Sequence, residues 1–291
     1  MTTRLDPPPV ERVDFASLVR RHRGVLLDAY GVLVDASGVL AGAREAIALL
    51  TRERIPYRIV TNDASRLPAA MAARFATLGL EIPESCIVSA GSLLPAWFAA
   101  NGVHGARCAV LGTQDSRRYV EAAGGIVVEP DDRGGYDVVV LCDEHGYPLL
   151  STMDCVLTEL FRALERGSVP RLVLPNPDCA YPKAGGAFGH GAGAVAAMLE
   201  SALRARDVAR APLRFERLGK PERRLFDAAC EQLGTRDVVA IGDQLLTDIA
   251  GAHRAGLPSA LIGTGVSKWS PTSDPATTPT YLLHDLSIAG S

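Results

Sequence analysis

Apolar positions fall into short unbroken runs and into stretches of helical spacing, and the two kinds alternate along the chain. That alternation predicts an α/β protein with a mostly parallel sheet, because strands covered on both faces need continuous apolar runs. Gly24-Val25-Leu26-Leu27 reads as a buried strand ending at Asp28, followed by a glycine-punctuated loop and a helix from Ala43 to about Arg54. Tyr57 to Val60 reads as a second strand that stops at Thr61-Asn62-Asp63. Helical spacing from Leu67 to Leu78 is closed by Gly79, and a further helix is placed between Glu84 and Ala100.

Strand-like runs follow at Cys108 to Leu111, Val138 to Leu141 and Leu172 to Leu174, with helical stretches at Arg117 to Ala123 and Ser151 to Glu165 between them. This middle region has elements enough to be a domain of its own, with edges near 103 and 212, leaving 1–102 and 213–291 as a second, discontinuous one. Beyond it, Pro221 is placed in the first turn of a helix that stops at Gly234. Val238 to Ile241 then forms a strand ending at Gly242-Asp243, and a helix to Gly256 leads to a last strand, Ser259 to Ile262.

At 291 residues the chain is long enough for two compact units, or for one with an insertion, and 47% hydrophobic content excludes a disordered class. The net charge of −3 is spread without basic runs, which excludes the electrostatic footprint of a nucleic-acid binder. Arg20, Arg21 and Arg23 read as a solvated helix end. The first nineteen residues carry no apolar core of a signal peptide, and no run reaches membrane-spanning length, so a cytoplasmic protein is expected. Six cysteines without a C-x-x-C pair read as reduced thiols, and a zinc site built from Cys142 and His145 has no second pair to complete it.

In open α/β sheets the functional crevice lies beyond the carboxyl ends of the strands. Asp28, Thr61, Asn62 and Asp243 all occupy such ends, Asp248 follows in the turn opening the next helix, and Lys220 stands just before a helix. Three carboxylates brought together would repel one another unless a cation neutralised them, and an oxygen-only ligand set suits Mg²⁺. A carboxylate attacks phosphorus when it is held in line and when metal and lysine draw charge from the phosphoryl oxygens. The product would be an aspartyl-phosphate, with the Thr61 hydroxyl and the side chain or backbone N–H of Asn62 as donors to the phosphoryl group.

Asp28-Ala29-Tyr30-Gly31-Val32-Leu33, Thr61-Asn62, Lys220-Pro221 and Gly242-Asp243 followed by Asp248 resemble the four ordered motifs of the haloacid dehalogenase superfamily. The wide gap between the second and third motifs, with Pro175-Asn176-Pro177-Asp178 and Tyr181-Pro182 inside it, resembles subclass IIA, the NagD-like and 4-nitrophenylphosphatase-like proteins. The resemblance spans most of the chain. It implies a Rossmann-like doubly wound parallel-sheet core, an inserted α/β cap, Mg²⁺ dependence and phosphatase action on small phosphomonoesters. It makes Asp28 nucleophile and metal ligand, Asp243 a metal ligand and Asp248 a support of the metal shell. It also makes Lys220 the balancing charge, Thr61 and Asn62 the phosphate holders, and residue 30 the donor of a backbone carbonyl to the metal. Related proteins with this cap often form homodimers through it.

Phosphatases of this family usually carry a second aspartate two residues after the nucleophile as general acid, and here that position is Tyr30. General acid assistance contributes about 10²–10⁴-fold, and a tyrosine of ordinary pKa, about 10, is a poor substitute at neutral pH. Slow hydrolysis of unactivated alkyl phosphates is therefore expected. Packing against the cap is the competing role for Tyr30. A binding or regulatory protein with weak turnover is the alternative this substitution raises. The segment Asp28-Ala29-Tyr30-Gly31 also resembles the first motif of 2-haloacid dehalogenases, but those act without metal and lack this aspartate pair and cap.

Asp178 reads either as a turn residue or as a substrate contact from a cap loop. Gly191 to Ala196 matches a dinucleotide fingerprint, yet no strand is read immediately before it, so a flexible return from cap to core is the expectation. His145 and His190 are read as ordinary loop histidines.

Overall fold

The computed structural model describes residues 10–183, 185, 187–205, 213–271 and 274–288. The expected domain edge at 212 falls on residues 206–212, outside the described residues. By internal contacts the chain forms two units, one with residues up to Val60, Ala72–Ile87 and Pro221 onward, the other with Thr61–Met71 and Val88–Lys220.

A seven-stranded sheet runs, in spatial order, through Glu11–Arg12, Tyr281–Leu283, Ser259–Ile262, Val238–Gly242, Gly24–Leu27, Tyr57–Thr61 and Ile87–Ser89. Its described pairings are all parallel, with Leu27 beside Ile241 and Gly242 beside Leu261. Gly24–Leu27, Val238–Gly242 and Ser259–Ile262 are buried along their whole length, which is why their sequences show no alternation. The α/β class and the parallel core sheet are thus as the apolar pattern required.

Helix Ala43–Arg52 turns Ala43, Ala46, Ile47, Leu49 and Leu50 inward. Its cap, Gly42, has φ +78°, and a Cβ there would lie 2.4 Å from the backbone of Leu286 and Ser287. Both constraints demand glycine. Gly42→Ala is expected to cost about 1–3 kcal/mol, read as a lowered urea midpoint with an unchanged slope.

The second unit carries a five-stranded parallel sheet in the order Glu216–Arg217, Arg171–Leu174, Val138–Leu141, Arg107–Leu111 and Ile126–Val128. Helices Leu149–Glu165 and Ala192–Ala205 bury Val156, Leu160, Val195 and Leu199 in the same core as Val139 and Leu172. Glu159, buried on the first of these helices, accepts from Arg166 at 2.6 Å and lies 3.6 Å from Arg162.

Several local expectations are corrected. The single helix placed between Glu84 and Ala100 is a 3₁₀ turn, the buried strand Ile87–Ser89, a second 3₁₀ turn and then helix Leu94–Asn101. The β-branched pair Ile87-Val88 favours an extended strand that joins the sheet edge. The helix after Pro221 starts only at Arg224 and is closed at Gly234, whose φ is +68°. A strand does precede Gly191: Phe188–His190 pairs antiparallel with Ala180–Pro182. A hairpin still lacks the strand–turn–helix crossover of a dinucleotide site. Gly191 and Gly193 also do not form a loose return, because a Cβ at either would lie 2.2 Å from the carbonyl oxygen of Asp178 or Pro177. Close backbone approach explains them.

Candidate active site

Asp28 stands at the end of strand Gly24–Leu27, and its N–H donates to the Ile241 carbonyl at 2.9 Å, which fixes it beside the neighbouring strand. Asp243 follows the last residue of that neighbour, Val238–Gly242, and Asp248 lies in the π-helical turn Leu245–Ile249. One carboxylate oxygen from each lies within 4.8 Å of the others. The three residues are 8%, 1% and 4% exposed.

At that separation two carboxylates repel by about 3 kcal/mol with an effective dielectric constant of about 20, and there are three such pairs. The arrangement therefore fits a bound cation. Hard oxygen donors and no sulfur or imidazole suit Mg²⁺ better than zinc. Glycines make the room: a Cβ on Gly31 would lie 2.4 Å from the Asp243 carboxyl carbon, and one on Gly242 would lie 2.2 Å from Asp248 Cβ. Gly31 also has φ +90°, so the loop after Asp28 needs glycine there twice over. Gln244 N–H donates to Asp248 Oδ2 at 3.0 Å. Tyr30 is half-buried in this loop and bridges to Val34.

Thr61, Asn62, Lys220 and Asp178 belong to the other unit. Thr61 Oγ1 accepts from the N–H of Asp63 at 3.2 Å. Asn62 is almost entirely buried and fully engaged: its Oδ1 accepts from the N–H of Lys220 at 2.7 Å, and its Nδ2 donates to the Lys220 carbonyl and to Asp178 Oδ1. Gly219 permits this, since a Cβ there would lie 2.4 Å from Asn62 Oδ1. Asn62, Lys220 and Asp178, far apart in sequence, thus form one hydrogen-bonded set, and Lys220 is only 3% exposed. The turn at Asp178 is made by Asn176, whose Oδ1 accepts the Asp178 N–H at 3.1 Å.

A second acidic group, Asp143, Glu144 and His145, also brings ligand atoms within 4.8 Å. Burial, and then the charge of Asp143, push the Glu144 carboxyl above its usual range. Cys142, paired with His145 in the zinc reading, is outside this group, and burial holds its thiol well above the ordinary range, which disfavours the thiolate a metal needs. The six cysteines are unpaired. His190 lies on strand Phe188–His190 rather than in a loop.

Two family profiles match the chain, one described as haloacid dehalogenase-like hydrolase over residues 25–125, the other as HAD-hydrolase-like over 217–289. The chain belongs to the haloacid dehalogenase-like hydrolases. In this hydrolase the first matched stretch holds Asp28, Thr61 and Asn62, and the second holds Lys220, Asp243 and Asp248.

An acid sugar phosphatase of Staphylococcus haemolyticus is 26% identical over 93% of this chain and 96% of its own length. A solved structure described as a possible sugar phosphatase of the superfamily, from Cytophaga hutchinsonii, shares 29% identity with a TM-score of 0.81, covering 96% of this chain and 99% of that one. The glycerol phosphate phosphatase of Mycobacterium tuberculosis, solved in complex with magnesium, shares 29% identity with a TM-score of 0.75, covering 95% and 78%. NagD of Escherichia coli, at 24% identity and a TM-score of 0.73 over 91% and 97%, shares the fold. The Rossmann-like core with a cap and the subclass IIA resemblance accord with these neighbours, and the hydrolase is an enzyme of the class they represent.

The residues that sequence reasoning missed come from the loop after strand Ser259–Ile262. Val266 N–H donates to Asp243 Oδ2 at 3.0 Å, and Ser267 N–H donates to the Asp243 carbonyl at 3.1 Å. The only sequence signal was the pair Gly263 and Gly265 just beyond a strand end.

Proposed function

We propose that this hydrolase is a phosphatase of a small phosphorylated metabolite, with Mg²⁺ as cofactor and an aspartyl-phosphate formed on Asp28. The observation that carries the reading is the set of three buried carboxylates within 4.8 Å, two at adjacent strand ends and one in the turn that follows. Magnesium in the mycobacterial relative supports the choice of metal, and the names of the relatives favour a sugar phosphate or glycerol phosphate as substrate.

In this reading Asp28, Asp243, Asp248 and the carbonyl of Tyr30 would hold the metal, which would supply charge neutralisation for the phosphoryl oxygens. The Asp28 carboxylate attacks phosphorus, the ester oxygen leaves with the bonding pair and takes a proton from solvent, and water then attacks the acyl phosphate, releasing inorganic phosphate and regenerating the carboxylate. Thr61 donates its hydroxyl to the phosphoryl group. Because both N–H bonds of the Asn62 side chain are already engaged, the donor at that position is its backbone N–H. Lys220 balances the phosphoryl charge, its backbone held on both sides by Asn62. Asp178 accepts from Asn62 at 2.9 Å, and its role is to orient that loop as much as to meet substrate. Residues 103–212 are the inserted cap in this proposal, and the protein is cytoplasmic, as six unpaired cysteines suit, with self-association through the cap.

Purified protein assayed with Mg²⁺ against a panel of phosphorylated metabolites should release phosphate, and EDTA should abolish release until Mg²⁺ is restored. Phosphate release that EDTA leaves intact would remove the metal from the account. The substitution at Tyr30 favours one second reading, a ligand-binding or regulatory protein. Its signature is Mg²⁺-dependent phosphate binding with no turnover across the panel.

A further inference from the structure

Asp243 is enclosed from a direction that none of the four motifs supplies. In the segment Gly263 to Ser267, residues 265–267 lie against it and the first two tie the segment to its surroundings. Gly263 N–H donates to the Leu283 carbonyl at 2.9 Å, which anchors the segment to the sheet. Thr264 Oγ1 donates to the Gly31 carbonyl at 3.3 Å, tying it to the loop after Asp28. A Cβ on Gly265 would lie 2.0 Å from Asp243 Cβ, so glycine alone permits the approach. Val266 N–H then grips Asp243 Oδ2, and Ser267 N–H grips the Asp243 carbonyl. Ser267 Oγ accepts from Leu245 N–H at 3.1 Å, at the first residue of the turn that carries Asp248.

We infer that residues 263–267 are a strap that sets the rotamer of Asp243 and the start of the Asp248 turn, so that Gly265 and Ser267 are positioning residues for the metal. The inference rests on the metal reading proposed above. Its physical basis is pre-organisation. Asp243 has carboxylate neighbours on one side that repel it, and the Val266 N–H holds one of its two oxygens, so the other is presented in a fixed direction. Gly31 and Gly265 both approach the same carboxylate so closely that neither has room for a Cβ, which narrows the space in which it can turn.

Gly265 does not occupy the left-handed region, so alanine there adds no strain through its own φ; its Cβ would meet Asp243 Cβ and carboxyl, so it acts by pushing Asp243 and the backbone that carries it. Gly265→Ala is expected to weaken Mg²⁺ binding at least roughly tenfold, the scale typical of lost outer-shell support, by isothermal titration calorimetry on the metal-free protein. Ser267→Ala should weaken it by a smaller factor, and Ser267→Thr, which keeps a hydroxyl, should restore it. A metal-free melting temperature within a few degrees of the parent's, on the scale of a surface change, would separate positioning from loss of fold. If Gly265→Ala does not fold, the Ser267 pair decides. Parent-like affinity in Ser267→Ala, or in a folded Gly265→Ala, would overturn the inference while leaving the metal reading standing. A parent protein that binds no Mg²⁺ would overturn both.

Discussion

Asp28→Asn is expected to lower phosphomonoester turnover by roughly 10³-fold or more, the scale on which removal of a covalent nucleophile shows. The amide keeps the size of the side chain and its place beside strand Val238–Gly242, where the Asp28 N–H bonds to Ile241. What it loses is the negative oxygen that attacks phosphorus in the proposed mechanism and one of the three charges that meet within 4.8 Å. The second loss supplies an independent readout. Metal-free Asp28→Asn should melt no lower than the parent, because each carboxylate pair at this separation costs about 3 kcal/mol at an effective dielectric constant of about 20. A variant that turns over substrate at the parent's rate would show that Asp28 is not the nucleophile, whatever its stability.

Tyr30→Asp should accelerate hydrolysis of alkyl phosphates by about 10²–10⁴-fold, the range in which a positioned general acid contributes. Aryl phosphates should gain much less, since a phenolate leaves without needing a proton. The asymmetry between the two substrates is the test, and equal gains would assign Tyr30 a role in packing or access instead. Tyr30 is half-buried, and the turn around it is held by backbone bonds, Gly31 N–H to the Val34 carbonyl at 2.7 Å and Leu33 N–H to the Ala29 carbonyl at 3.0 Å. These backbone bonds do not depend on the side chain at position 30.

The elements most legible in the sequence were those whose burial is complete. Gly24–Leu27, Val138–Leu141 and Val238–Gly242 are covered on both faces, and each appears as an unbroken apolar run. Ile126–Val128 went unread because it is an edge strand with Ile126 exposed, and Glu11–Arg12 and Glu216–Arg217 are two-residue strands with polar side chains. Pairing with a neighbour makes those strands, and pairing leaves no local mark. Asp28 and Asp243 were legible for the same reason as the strands they follow, since a polar residue ending a buried run stands at a sheet rim. Asn62 was only half legible. Its place at a strand end could be read, but the engagement of its side chain by Lys220 and Asp178 depends on segments more than a hundred residues away.

By itself the sequence determined the alternation of strands and helices and the rim positions of the acidic residues, because each is written in residue order as periodicity or spacing; that Tyr30 stands where relatives carry an aspartate comes from the motif resemblance. Tertiary structure alone decided that Asp28, Asp243 and Asp248 converge within 4.8 Å, and that Gly31 and Gly265 lie close against Asp243. Strand order created that convergence by seating Val238–Gly242 directly beside Gly24–Leu27, residues more than two hundred positions apart. Close approach of backbone to carboxylate is a property of distance in space, and a glycine in a sequence does not say what it has made room for.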